Sequence, residues 1–318
     1  MEKTTFENHP EIISIGIIGL GWVGASTAMS ILLKGICREL LLFDVKPGLA
    51  EGEAMDLNHG SSFYPTTEVK AAEISEMQHC KAIVITAGRG GKPGETRLDL
   101  LNDNIRIAKS IADQLQNYQG LLIILANPVD VLTYFYQKFS GLPLHRVIGT
   151  GTMLDTARLR DILGRKLKVD PRNIHAQVIG EHGDSETILW SSAMVGSIKL
   201  SEWKGWKSEF KKGIAKQVKH AAYEIIQRKG ATNHAIGLVT AALLKSLLRG
   251  ERRILNLSSV LSGAYGLKDI ALSLPCMISE QGIEEVLEVE MNLDEQERFF
   301  ASANIIQQAI VESSSKLS

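Results

Sequence analysis

The sequence predicts an α/β protein: a doubly wound parallel sheet in the first half, followed by an α+β arrangement in the second. Three observations carry this. Short β-branched runs alternate with longer amphipathic stretches up to about residue 150, which is the pattern of a parallel sheet wrapped by helices on both faces. A glycine-rich turn separates the first apolar run from the first helical one. Beyond residue 150 the pattern changes to long helices and a hairpin-like region, so the expected units are residues 1–150 and 151–318.

Taken in order, the run from Ile12 to Ile18 reads as a buried strand and Gly24 to Leu33 as a helix. Leu40 to Val45 is a second strand, and a further helix begins at Gly48-Leu49-Ala50. Ala82 to Ala87 is a third strand, Leu98 to Tyr118 a long helix, Leu121 to Ala126 a fourth strand, and Val147-Ile148-Gly149 a fifth. The second half opens with a helix from Met153 to Leu167 and a strand through Gln177-Val178-Ile179. Helices near Ser208 to Arg228 and Ala235 to Leu248, a hairpin, and a closing helix from Leu293 to Ser313 complete it. No internal repeat separates the halves.

Composition narrows the function. Lys+Arg 35 against Asp+Glu 36 leaves a formal charge of -1, without the basic footprint of a nucleic-acid binder. Three scattered cysteines, Cys37, Cys80 and Cys276, form neither a disulfide framework nor a thiolate metal site, so no metal is expected and a reduced, cytoplasmic setting is. No run approaches the roughly 18 apolar residues of a membrane span, and the first residues lack the pattern of an export signal.

Gly19-Leu20-Gly21-Trp22-Val23-Gly24 is a G-x-G-x-x-G between a strand and a helix. The first glycine permits a tight turn, the second lets a pyrophosphate approach the backbone, and the third allows close helix–sheet packing. Asp44 follows roughly 20 residues on, at the end of the second strand, where a carboxylate accepts hydrogen bonds from ribose hydroxyls and repels a 2′-phosphate. A Rossmann-type first half binding NAD rather than NADP is the expectation; a glycine turn in a nucleotide-free sheet is the plainer alternative.

Asp155 and Arg158 stand three apart in the helix that opens the second half, so they share a face. That spacing also describes a surface ion pair. Gly180-Glu181-His182-Gly183-Asp184 adds a histidine on a glycine-flanked turn after a strand, free to meet a substrate. An acid, an imidazole and a guanidinium suit reversible reduction of a 2-oxo acid.

These segments, with DLNHG, ITAG, KPGETRLDL, ANPVD, IGTGTMLDTARLR and KGATNHAIG, resemble the lactate/malate dehydrogenase family from about residue 12 to 313. The resemblance implies an α+β catalytic second half, a homo-oligomer, typically a homotetramer, and NAD-dependent interconversion of pyruvate and L-lactate. Malate dehydrogenase, or a broad-specificity L-2-hydroxy acid dehydrogenase, is the alternative. From another class, a non-catalytic NAD-binding regulator would keep the fold alone. By resemblance His182 exchanges the proton, Asp155 orients it, Arg158 clamps the substrate carboxylate and Arg97 polarises the carbonyl. Asn127 sits near substrate and nicotinamide, and Thr232 packs near the methyl end. Gly19, Gly21, Val23, Gly24, Asp44, Gly88 and Asn127 are the expected cofactor contacts. RGGKPGETR, residues 89–97, resembles the family's active-site lid, whose last residue is Arg97.

Gly91 departs from the family, where lactate-type members resemble one another in having Gln and malate-type members in having Arg. Without an arginine a second substrate carboxylate is enclosed unpaired, which costs several kcal/mol and disfavours malate unless Arg89 or Lys92 reaches it. The missing side chain also leaves room for longer 2-oxo acids; equally, Gly91 is only an added hinge. Lys46 is the one basic residue close behind Asp44, with Pro47 and Gly48 following. Arg160 lies roughly 200° around the helix from Arg158 and needs another partner. Together with His175 it resembles the interface site at which some bacterial relatives bind fructose 1,6-bisphosphate, so allosteric activation is expected there, an ordinary surface pair being the alternative.

Overall fold

The computed structural model describes residues 13–90 and 97–316. Strands β1 (Ser14–Ile18), β2 (Glu39–Phe43), β3 (Glu68–Ala71), β4 (Ala82–Ile85), β5 (Leu121–Ile124) and β6 (Val147–Gly149) pair in parallel in the order β3-β2-β1-β4-β5-β6. Helices α1 (Trp22–Lys34), α2 (Leu49–His59), α3 (Arg97–Gln114) and α4 (Val129–Ser140) cross over between them. Alternation in the strands decides the layering. In β4, Ile83 and Ile85 enter one core while Ala82 and Val84 enter another; in β5, Leu122 and Ile124 part from Leu121 and Ile123 in the same way. Side chains two apart share a face, so a strand apolar at every position is buried on both.

Beyond β6 come α5 (Met153–Leu167), five two-residue strands, and two long helices. The strands are β7 (Ile174–His175), β8 (Val178–Ile179), β9 (Thr187–Ile188), β10 (Met194–Val195) and β11 (Ile198–Lys199). The helices are α6 (Phe210–Lys229) and α7 (His234–Leu248). The antiparallel strands β12 (Ile254–Ser262), β13 (Lys268–Ser279) and β14 (Gly282–Val286) precede α8 (Leu293–Ser314). Strand β12 hydrogen-bonds along β6, so one sheet runs β14-β13-β12-β6-β5-β4-β1-β2-β3 through both halves. A third core, around Leu159, Leu163, Val178 and Val218, joins α5 to α6. No helix among the described residues is long and apolar enough to cross a membrane.

Three elements differ from the sequence expectation. The long helix ends at Gln114, and Tyr118 instead donates its hydroxyl to the Leu121 carbonyl. Helix α4 was not expected, because VDVLTYFYQKFS is rich in β-branched and aromatic residues that favour strands; packing of Val131, Leu132 and Phe135 into the core overrides that preference. Strand β3 is a four-residue sheet edge with only Val69 buried, too short to show a period.

Candidate active site

Strand order reverses between β1 and β4, which opens a crevice beyond their carboxyl ends. The glycine turn lies there. Gly19 has φ +99°, and a Cβ on it would stand 2.6 Å from the Ala87 nitrogen; a Cβ on Gly24 would stand 2.0 Å from the Gly19 carbonyl oxygen. Both must be glycine for α1 to seat on β1. Around Gly21 a Cβ meets nothing within 4 Å, and α1 starts at the next residue, so open space faces a helix N-terminus. That is the cradle a pyrophosphate needs. Val23 lies in the first turn of α1, and Gly88 follows β4 against Asn104.

Asp44 accepts the Leu20 amide at 2.7 Å and the Lys46 amide at 2.9 Å, tying the end of β2 to the glycine turn. A carboxylate has further acceptor capacity for a ribose. The cleft beside it, of about 380 Å³, is lined by Asp44, Val45, Lys46, Glu51 and Glu73 among others. The acids make it a poor home for an extra phosphate.

Across the crevice, α5 brings Asp155 into its first turn, 2% exposed. Its Oδ2 lies 2.5 Å from His182 Nδ1, and its Oδ1 accepts Arg158 Nη1 at 2.7 Å. One buried carboxylate therefore orients both groups and leaves His182 Nε2 for a substrate. The histidine turn is pinned at three successive residues. Gly180, at φ +88°, exchanges backbone hydrogen bonds with Ser273 of β13; the Glu181 amide donates to Ser302 Oγ of α8 at 2.7 Å; the His182 amide donates to Asp130 Oδ2 of α4 at 2.7 Å.

Burial disfavours the imidazolium, but the Asp155 carboxylate overrides it and raises the His182 pKa to about 9. Burial raises Asp155, yet His182 and Arg158 together hold it below the usual carboxylate range. The site therefore carries a proton at neutral pH. Two further acids stand close by. Burial pushes Asp130 up to about 6, and burial with the charge of Asp155 pushes Glu186 up to about 8. Asp130 closes the ANPVD segment and Glu186 follows the histidine turn, and neither is marked by its spacing, because spacing does not report burial.

Of the other expected residues, Asn127 is exposed at the end of β5, joined to Pro128 by a cis peptide bond, and its carbonyl accepts Asn104 Nδ2 at 3.1 Å. Thr232 lies in the turn between α6 and α7, and no hydrogen bond among the described residues ties it to the His182 set. The backbone of Arg97 opens α3. Gly91, Lys92 and the rest of the expected lid up to residue 96 lie outside the described residues. Arg89, raised above as a possible reader of a second carboxylate, is engaged with Asp103 of α3 through Nε at 2.8 Å and Nη2 at 2.5 Å. Arg160 turns away from Arg158, as its helical position requires, and donates from Nε to the Ala176 carbonyl at 3.1 Å, next to exposed His175. Burial and the neighbouring charge of Arg253 depress its pKa.

The N-terminal residues 13–149 match the model of the lactate/malate dehydrogenase NAD binding domain, and residues 152–316 match that of the family's alpha/beta C-terminal domain. The chain belongs to the lactate/malate dehydrogenase family. It is 44% identical over 315 residues to an L-lactate dehydrogenase of Fervidobacterium nodosum, covering 96% of this chain and all of that one. It is 41% identical over 303 residues to an L-lactate dehydrogenase of Clostridium botulinum, covering 93% and 95%. The fold superposes on the minor L-lactate dehydrogenase of Enterococcus mundtii in its ligands-bound form with TM-score 0.92 at 37% identity, covering 95% and 98%. This family member is an NAD-dependent oxidoreductase, and its glycine turn, open at Gly21 and closed by Asp44, fits the dinucleotide.

Proposed function

We propose that this dehydrogenase interconverts pyruvate and L-lactate. One observation carries the chemistry: a single buried carboxylate, Asp155, bonds both an imidazole and a guanidinium, which sets an acid–base nitrogen beside a planar anion fork. Arg158 receives the substrate carboxylate bidentately. His182, charged at neutral pH, gives its Nε2 proton to the oxygen of the 2-oxo group as that oxygen gains charge; in the reverse direction the neutral imidazole takes the proton back. Asp155 holds the ring and stabilises its charged form. NAD, when bound, supplies or accepts the hydride at the substrate C2.

Arg97 polarises the carbonyl, Asn127 contacts substrate and nicotinamide, Thr232 packs against the methyl, and Gly91 leaves that end uncharged. Gly19, Gly21, Val23, Gly24, Asp44 and Gly88 hold the dinucleotide. Residues 1–150 form the NAD-binding unit and 151–318 the catalytic one. Pyruvate is favoured over oxaloacetate because position 91 carries no arginine and Arg89 is committed to Asp103. A cytoplasmic homotetramer in fermentative glycolysis is the setting we infer from the family resemblance. Arg160 and His175, with the charge of Arg253 close to Arg160, form the candidate site for fructose 1,6-bisphosphate.

The test follows NADH oxidation with pyruvate, oxaloacetate and 2-oxoisocaproate side by side, each with and without millimolar bisphosphate between about pH 6 and 8. A kcat/KM for pyruvate at least a hundredfold above that for oxaloacetate, about 2.7 kcal/mol of discrimination, is the expected result. A lead for oxaloacetate would make the chain a malate dehydrogenase with a displaced specificity residue. Kinetics indifferent to bisphosphate at every pH would remove the effector site alone.

A further inference from the structure

The ANPVD segment contributes a residue that this chemistry does not use. Asp130 stands in the first turn of α4, 1% exposed, and its Oδ2 takes the backbone amide of His182, 52 residues away in the other half of the chain. A buried carboxylate is a costly means of satisfying one amide. Asparagine accepts the same hydrogen bond with no charge to desolvate. Beside the carboxylate stands the Ser258 hydroxyl, which favours its ionised form. What the charge does face is the imidazole: Asp130 acts on His182 from α4 while Asp155 and Arg158 act on it from α5. Glu181, next to His182 on the same turn, acts on Asp130, and Glu186 is a further carboxyl group facing His182, Asp155 and Arg158.

We propose that Asp130 is a positioning residue of the proton transfer, its carboxylate fixing the His182 backbone and supplying a second negative charge, after Asp155, that holds the imidazole in its protonated form. The proposal rests on the reading of His182 as proton donor. The two acids divide the work. Asp155 sets the ring through Nδ1, Asp130 sets the main chain from which the ring hangs, and Nε2 is fixed from both ends. Burial, reinforced by Glu181, places the titration of Asp130 at about 6, so the charge is present at neutral pH and lost below it, while a protonated carboxyl still accepts the amide.

The experiment compares wild type with Asp130→Asn and Asp130→Glu by two readouts. The first is the NMR titration of the His182 imidazole, assigned with His182→Gln; the second is the pH profile of kcat/KM for pyruvate at saturating NADH. Asp130→Asn keeps the hydrogen bond and removes the charge, so the His182 titration and the alkaline limb of the profile move down together by about one pH unit, with NADH affinity unchanged. Asp130→Glu keeps the charge on a longer arm, so the titration stays near wild type while kcat falls at least tenfold. An unmoved His182 titration in Asp130→Asn overturns the proposal even if the protein melts earlier, since lost packing alone leaves that titration in place. If Asp130→Asn does not fold, a wild-type kcat in Asp130→Glu overturns the positioning role. Wild type that leaves pyruvate unreduced would sink the activity reading, and the NMR titration would still decide what Asp130 does to His182.

Discussion

Three carboxyl groups surround one imidazole, and their burial gives each a different state. Asp155 has two cationic partners and is ionised. Glu186 has a buried Oε1 without a partner among the described residues, and its pKa of about 8 follows first from burial and then from the Asp155 charge, with His182, Arg158 and Lys219 pulling the other way. Between its ordinary 4.5 and 8 the folded protein keeps a proton on Glu186 that the unfolded chain has lost. That stabilisation is full below 4.5, shrinks as pH rises, and is gone above 8. His182 adds a decline of the same sign between its ordinary 6.5 and about 9. The folded state therefore loses stability as pH climbs from neutral to 9. Glu186→Gln, which cannot titrate, is expected to melt close to wild type near pH 5 and a few degrees higher near pH 8.5, measured by thermal unfolding without ligand. A variant that melts below wild type at both pH values would show that the glutamate is held by a favourable bond.

At the scale of elements, the turn between β1 and α1 holds two glycines with opposite reasons for being glycine. A methyl on Gly24 meets the Gly19 carbonyl, which is backbone and cannot step aside, whereas a methyl on Gly21 points into open space. Gly24→Ala is expected to lower the melting temperature of the ligand-free protein by several degrees and to weaken NADH. Gly21→Ala should leave the ligand-free melt unchanged and cost NADH tenfold or more in affinity, read from nicotinamide fluorescence. Equal losses of stability in both would show that Gly21 also serves packing. The sequence made this turn legible because its chemistry is local: strand, glycines, helix and acid lie within one contiguous segment. The Asp155–Arg158 pair was legible for the same reason, helical spacing putting it on one face. Helix α4 was hidden, because its strand-favouring residues are made helical by a core that only the folded chain assembles. Asp130 and Glu186 were in plain view as letters, but what matters about them is burial and a partner from another element, which no spacing rule encodes.

At the scale of the whole molecule, the histidine turn is where the two halves and the last helix meet. Strand β13 pairs with it through two backbone hydrogen bonds and helices α4 and α8 each accept one of its amides, while the dinucleotide turn is tied to β2 and to the residues after β4, with α1 packed on α7. Binding of the cofactor and proton transfer to the substrate therefore rest on largely separate supports within one continuous sheet. Ser302 of α8 offers a way to divide them. It is fully buried, its hydroxyl oxygen accepts the Glu181 amide, and Ser185 Oγ donates to it at 3.0 Å. Ser302→Ala leaves that amide unbonded in a buried place, at a cost of about 1–3 kcal/mol, and frees the turn next to His182. The loosened ring spends less time at the geometry in which Nε2 meets the substrate oxygen, so kcat for pyruvate should fall several-fold. NADH affinity should stay within about twofold, since the hydrogen bonds described at the Gly19–Gly24 turn and Asp44 run to β2 and the end of β4 and not to α8. Stopped-flow NADH binding and steady-state kinetics on the same preparation decide the matter. A parallel loss of both would mean that strain at α8 is carried through the sheet to the dinucleotide turn, and that the halves work as one rigid unit.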